Sequence, residues 1–111
     1  MPRHHLSAKG RGKPSKYGNR KVEVDGFVFD SAKEARYYGD LKIRQRAGEV
    51  VMFLQQVPFH LPGGTKYIAD FLVFLADGTV EVIDVKGVKT DVYRLKKRQV
   101  EALYPITVVE V

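Results

Sequence analysis

The chain of 111 residues contains no cysteine and no tryptophan. The missing cysteine excludes disulfides and thiolate metal sites and is compatible with the cytoplasm. No apolar run approaches the roughly 20 residues of a membrane span, and the N-terminus lacks the apolar centre of a secretory signal. The expectation is a soluble, cytoplasmic protein with no membrane partner. At this length there is room for one small domain with a modest core, helped by self-association, so a homodimer is expected.

Acid is also missing from the first stretch. Residues 1–21 carry seven Lys or Arg and no Asp or Glu, while residues 22–111 carry twelve basic and thirteen acidic side chains, so the net charge of +6 is +7 from the first stretch and −1 from the rest. Residues 1–20 mix Gly, Pro, Ser, His and basic residues without apolar periodicity, which predicts a flexible arm that stays disordered until bound. Such an arm suits a polyanion through salt-dependent phosphate contacts, with Lys9, Arg11, Lys13, Lys16, Arg20 and Lys21 as the candidate contacts. The alternative is a solubilising leader. His4 and His5 have no ligand-spaced partner, so no metal is expected there.

The remainder, residues 21–111, reads as a single domain organised around residues 66–87. Two β-rich runs, KYIADFLVF and TVEVIDVKG, flank Asp77-Gly78, a strong hairpin signal. Charges interrupt them. Asp70 falls in a run that is otherwise apolar on both strand faces, and Asp84 and Lys86 close the second run. Buried charges persist when paired, hydrogen-bonded or metal-bound. Strand alternation puts Asp84 and Lys86 on one face, and an antiparallel neighbour can bring Asp70 beside them. Two converging carboxylates, with the Val85 carbonyl, make a site for Mg²⁺, with Lys86 near enough to orient a water or offset charge on a phosphate.

Around this centre the chain reads as hairpin, helix, three strands, helix and strand. Lys21–Phe29 forms a hairpin about Asp25-Gly26. A helix follows from Ser31 to about Arg46, opened by the S-x-x-E box of Ser31 and Glu34 and closed at Ala47-Gly48. Glu34 aligns with Tyr38 and Leu41 on the inward side. A strand over Val50–Leu61 is interrupted by Gln55-Gln56 and by Pro58, which marks an edge or bulge. Gln56 is a possible accessory to the site, as is His60; the alternative is that they satisfy buried backbone. A second helix runs from about Asp91 to Tyr104, with Val92, Leu95, Ala102 and Leu103 as its apolar stripe and Arg94, Lys97, Arg98 and Glu101 outward. Lys96 either meets a substrate phosphate or snorkels over the sheet. Ile106–Val111 is the last strand.

Asp70 followed by Asp84-Val85-Lys86 resembles the signature of the PD-(D/E)XK nuclease superfamily, with Ala69 where the motif has Pro. The order αβββαβ from Ser31 to Val111 resembles the superfamily core. The implied fold is an α/β (α+β) restriction-endonuclease-like core with a mixed central sheet flanked by helices, preceded by a hairpin and a basic disordered arm. The chain looks most like small phage- or prophage-type endonucleases, including Holliday junction resolvases. The resemblance implies metal-dependent hydrolysis of DNA phosphodiesters, with Asp70 and Asp84 holding Mg²⁺ (Mn²⁺ substituting), Glu34 as a further ligand, and Lys86 catalytic. For Glu34 the competing role is the capping box alone. Two other functions stand against the nuclease: a non-catalytic DNA-binding module on the same core, and a protein-interaction domain in which Asp70, Asp84 and Lys86 form a salt-bridge cluster. Neither an RRM nor a KH signature is present.

Overall fold

A computed structural model describes residues 20–85 and 87–111. Its elements are β1 (Val22–Val24), β2 (Phe27–Phe29), α1 (Ala32–Arg46), β3 (Val50–His60), a 3-10 turn (Pro62–Gly64), β4 (Lys66–Leu75), β5 (Val80–Asp84), α2 (Asp91–Leu103) and β6 (Val108–Glu110). The architecture is mixed α+β: the two-stranded hairpin β1-β2 and a four-stranded mixed sheet in the order β3-β4-β5-β6. The chain divides into two compact units, Met1–Asp40 and Leu41–Val111, and the boundary falls within α1. The arm contacts Lys9, Arg11, Lys13 and Lys16, and Lys86 of the proposed centre, lie outside the described residues.

In the first unit, Asp25 and Gly26 both have positive φ, +55° and +82°, the backbone of a two-residue turn whose twist matches its strands. Phe27 and Phe29 from β2 meet the Tyr38 ring at centroid distances of 5.9 and 5.1 Å. The Tyr38 hydroxyl donates to Asp25 Oδ2 at 2.8 Å, tying α1 to the hairpin turn. At the start of α1, Ser31 Oγ accepts from the Glu34 N–H at 3.1 Å, so the serine half of the capping box forms as expected.

In the second unit, β3 pairs with β4 and β4 with β5 antiparallel, whereas β6 runs parallel to β5. The parallel step requires a crossover, and α2 provides it. Pro58 is tolerated because β3 is an edge strand. The Asp77-Gly78 turn is closed by Asp77 Oδ1, which accepts from the Thr79 N–H at 2.9 Å and from its hydroxyl at 2.7 Å. Leu61, Tyr67, Ala69, Val82, Tyr93, Val100 and Val108 form the buried cluster between the sheet and α2, with Leu72 packed against it.

Two expectations are corrected. The apolar stripe on α2 is not its buried face: Val92, Leu95 and Leu103 are 61, 48 and 55% exposed, and Tyr93 and Val100 are buried instead. A tyrosine ring buries its apolar body while its hydroxyl finds a polar partner, and Tyr93 decides the orientation of α2. Glu101 is accordingly not outward. It is half-buried, and its Oε2 accepts from the N–H of Val108 at 2.7 Å, where β6 begins.

Burial, then the hydrogen bond to Asp25 and the charge of that carboxylate, push the Tyr38 hydroxyl up from 10.0 to about 12. A folded-state value above the unfolded one means that this contribution to stability is complete below about pH 10 and is lost as the pH rises through about 12. Tyr38→Phe is expected to flatten the decline in stability across that window, read by urea unfolding at stepped alkaline pH. An unchanged slope would refute the assignment.

Candidate functional site

β4 and β5 place the two central carboxylates together. Their ladder ends at Phe71↔Ile83, and Asp70 on β4 and Asp84 on β5 each lie one residue beyond that pair. The next bond in the ladder direction is made by a side chain: Asp70 Oδ2 accepts from the Val85 N–H at 2.8 Å. The carboxylate thus takes the place of a backbone carbonyl and satisfies the donor just past the end of β5. The pleat of β4 shifts at the same point. Tyr67 and Ala69 face the α2 cluster, and strict alternation would next bring Phe71 there, yet Leu72 packs against it, while the Phe71 ring meets Phe53 of β3.

The irregularity extends into β3. Its ladder with β4 passes from Gln55↔Phe71 to Val57↔Ala69, omitting the pair Gln56 and Asp70. Gln56 has φ +54° in the middle of the strand, a left-handed conformation that costs a non-glycine residue about 1–2 kcal/mol. Its Nε2 lies 3.4 Å from Asp70 Oδ1. Asp70 is thereby engaged from both neighbouring strands.

Asp84 is enclosed more deeply. It is 1% exposed, and with Glu34 at 5% it makes up the buried charged side chains among the described residues. The Tyr67 hydroxyl donates to Asp84 Oδ2. Burial first, then this hydrogen bond and the Asp84 charge, push the Tyr67 hydroxyl far above its ordinary value, so it remains a donor. A parallel arrangement lies one strand over. Glu110, the register partner of Asp84 on β6, accepts from the Tyr93 hydroxyl at 2.7 Å and pairs with Lys89 at 3.0 Å. Burial, then the bond to Glu110, push the Tyr93 hydroxyl up; that bond and the one to Lys89 hold the Glu110 carboxyl below its usual range.

A cavity of about 260 Å³ opens beside these tyrosines, lined by Lys66, Tyr67, Ile68, Thr90, Val92, Tyr93 and Lys96. Lys96 therefore faces a recess between β4 and the start of α2, where Thr90 Oγ1 caps the helix by accepting from the Tyr93 N–H at 3.1 Å.

Of the residues expected at the site, Asp70, Asp84, Val85 and Gln56 come together. Glu34 is buried in α1 in the first unit, as is Tyr38. His60 is exposed four residues beyond Gln56, and its carbonyl accepts from the Tyr104 hydroxyl at 2.7 Å. Arg20 and Lys21 are exposed, and Lys21 pairs with Asp30 at 3.1 Å. Tyr67, Tyr93 and Glu110 were not singled out in the sequence. The signal was the pair of tyrosines each destined for a buried position, since a buried phenol requires an acceptor.

The donor set is chemically suited to a hard divalent cation, being two carboxylates and a carbonyl, all oxygen. Hydrogen bonds to the carboxylates are compatible with ligation, because ligating carboxylates are themselves usually held this way. No group of three or more His, Asp or Glu side chains converges as a metal site among the described residues; Mg²⁺ commonly takes one or two carboxylates and completes its shell with water and phosphate. No helix among the described residues is long and apolar enough to cross a membrane.

A family model described as protein of unknown function (DUF1064) matches residues 14–109, and the chain belongs to that family. No curated protein and no solved structure matches it.

Tyr67→Phe removes the hydroxyl donor from a buried carboxylate and is expected to lower stability by about 1–3 kcal/mol, measured by urea unfolding at neutral pH. Asp84→Asn in the Tyr67→Phe background is expected to recover part of that loss by removing the buried charge. Additive losses in the double variant would show that the two side chains act independently.

Proposed function

We propose that this chain is a metal-dependent DNA endonuclease of the PD-(D/E)XK type, acting in the cytoplasm of a bacterial or phage-infected cell. The observation that carries the reading is that Asp70 accepts a hydrogen bond at 2.8 Å from the N–H of Val85, the residue that follows Asp84, while Asp84 itself is almost wholly enclosed. A fold gains little from two carboxylates gathered at one strand end, since like charges there repel. A cation bound between them supplies the compensation.

In this reading Asp70 and Asp84 would hold Mg²⁺, or Mn²⁺ in its place, and the Val85 carbonyl would be a third oxygen. When bound, the metal lowers the pKa of a water and stabilises the charge on the scissile phosphate. Hydrolysis would join the water oxygen to phosphorus, with loss of a proton to solvent, and break the bond to the departing sugar oxygen, which takes a proton from solvent, giving a phosphate at one end and a hydroxyl at the other. The chain's own contribution is position. The Val85 N–H restrains one Asp70 oxygen and the Tyr67 hydroxyl one Asp84 oxygen, so neither carboxylate has to reorganise when charge develops. Lys86 orients the water, a role that rests on the resemblance.

Lys66 and Lys96, at the rim of the cavity beside Tyr67, suit contacts to a neighbouring backbone phosphate. The basic arm holds DNA more diffusely, contributing affinity without sequence readout. A homodimer belongs to the same proposal, because paired cuts need paired sites.

With supercoiled plasmid and a synthetic four-way junction as substrates, the protein is expected to cut in Mg²⁺ or Mn²⁺ and not in EDTA. Asp84→Asn is expected to lose activity by more than about 100-fold, and preference between the substrates identifies the DNA structure recognised. If wild type and variant bind both DNAs equally and cut neither, the chain is a DNA-binding module without catalysis and the nuclease reading is overturned.

A further inference from the structure

We infer that Gln56 is a positioning residue for the Asp70 carboxylate, and that the left-handed backbone of β3 at this point is retained for that task. The inference rests on the reading of Asp70 and Asp84 as metal ligands and adds a residue to it.

Three observations converge on Gln56. It has φ +54° within an eleven-residue strand, a conformation that residues with a Cβ adopt at a cost and that glycine adopts freely. The departure is confined to one register step, since the ladder is intact at Gln55↔Phe71 on one side and at Val57↔Ala69 on the other. The residue facing it across that step is Asp70, and the Gln56 amide nitrogen is 3.4 Å from Asp70 Oδ1. Strained backbone concentrates where function requires a particular side chain in a particular place. A structural requirement alone would be met at lower cost by glycine, which accepts the same φ and leaves the ladder on either side unchanged.

The chemistry of the amide explains the choice of side chain. Asp70 Oδ2 is already fixed by the Val85 N–H, so a second donor at Oδ1 restrains rotation of the carboxylate about its own axis. A primary amide donates without carrying charge. A lysine or arginine in the same position would neutralise Asp70 and compete with a cation, and a glutamate would repel it. Glutamine therefore orients the ligand while leaving its charge available, as the outer partners of ligating carboxylates generally do.

Gln56→Gly separates this role from a structural one, because the two predict opposite signs. It relieves the backbone and deletes the amide in one step. In the full chain without metal, the variant is expected to melt roughly 4 °C higher than wild type. Titrated with Mn²⁺ and followed by electron paramagnetic resonance, it is expected to bind the ion about ten-fold more weakly. Higher stability with weaker Mn²⁺ binding supports the inference. Equal Mn²⁺ affinity in the two proteins overturns it and leaves the metal reading intact, and so does a lower melting temperature, which would make Gln56 a structural residue. If wild type itself binds no Mn²⁺, the metal reading fails and this inference with it.

Discussion

The bond from the Val85 N–H to Asp70 Oδ2, at 2.8 Å, is the constraint on which the rest of the site depends. A donor just past the end of β5 has to be satisfied, and the ladder that would otherwise serve it has stopped one step earlier at Phe71↔Ile83. Bringing a side-chain oxygen into the plane of the sheet displaces the pleat of β4, and Leu72 reaches the α2 cluster in place of Phe71. The edge strand follows: the pair Gln56 and Asp70 is omitted from its ladder and Gln56 adopts φ +54°. Two strands thus depart from regular pairing beside one carboxylate.

Tyrosine does the complementary work on the α2 side of the sheet. Tyr67 and Tyr93 contribute rings to the buried cluster and present their hydroxyls to Asp84 and Glu110. Because burial and the neighbouring carboxylates raise both phenols well above their ordinary values, each stays protonated and each acid receives a fixed donor. This arrangement supplies an apolar core and an orienting hydrogen bond from the same side chain, which in a chain of 111 residues with limited interior volume saves a second layer of supporting residues.

Most of the architecture was legible in the sequence because local signals agreed with one another. Asp25-Gly26 and Asp77-Gly78 marked two hairpins, Ser31 with Glu34 marked the start of α1, and alternation with β-branched residues marked β4 and β5. The order of elements followed. The orientation of α2 was not legible, because Val92, Leu95, Ala102 and Leu103 form the more apolar stripe by composition, whereas burial follows Tyr93 and its acceptor on β6. Asp70 and Asp84 were found as charges out of place in apolar strands, but the hydrogen bonds that hold them could not be. They arise from side chains taking backbone roles, and no periodicity encodes that. Gln56 could be noticed as a polar interruption, while its left-handed φ belongs to the folded sheet and no local pattern marks it.

The charge distribution gives the proposed activity a division of labour. The arm holds seven basic residues and no acid within residues 1–21, leaving a body with nearly balanced charge. Attraction of a polyanion to such an arm is screened over about 10 Å at 0.1 M salt, so it governs encounter and affinity and weakens as salt rises. In the proposed enzyme the chemistry at Asp70 and Asp84 would take place at short range, in surroundings partly closed to solvent, where screening by salt is much weaker. Capture and chemistry therefore respond to different variables. In the proposed enzyme, raising the ionic strength acts on the approach of DNA, whereas the precision of the cut is set by the hydrogen bonds that hold Asp70 from β3 and from the end of β5.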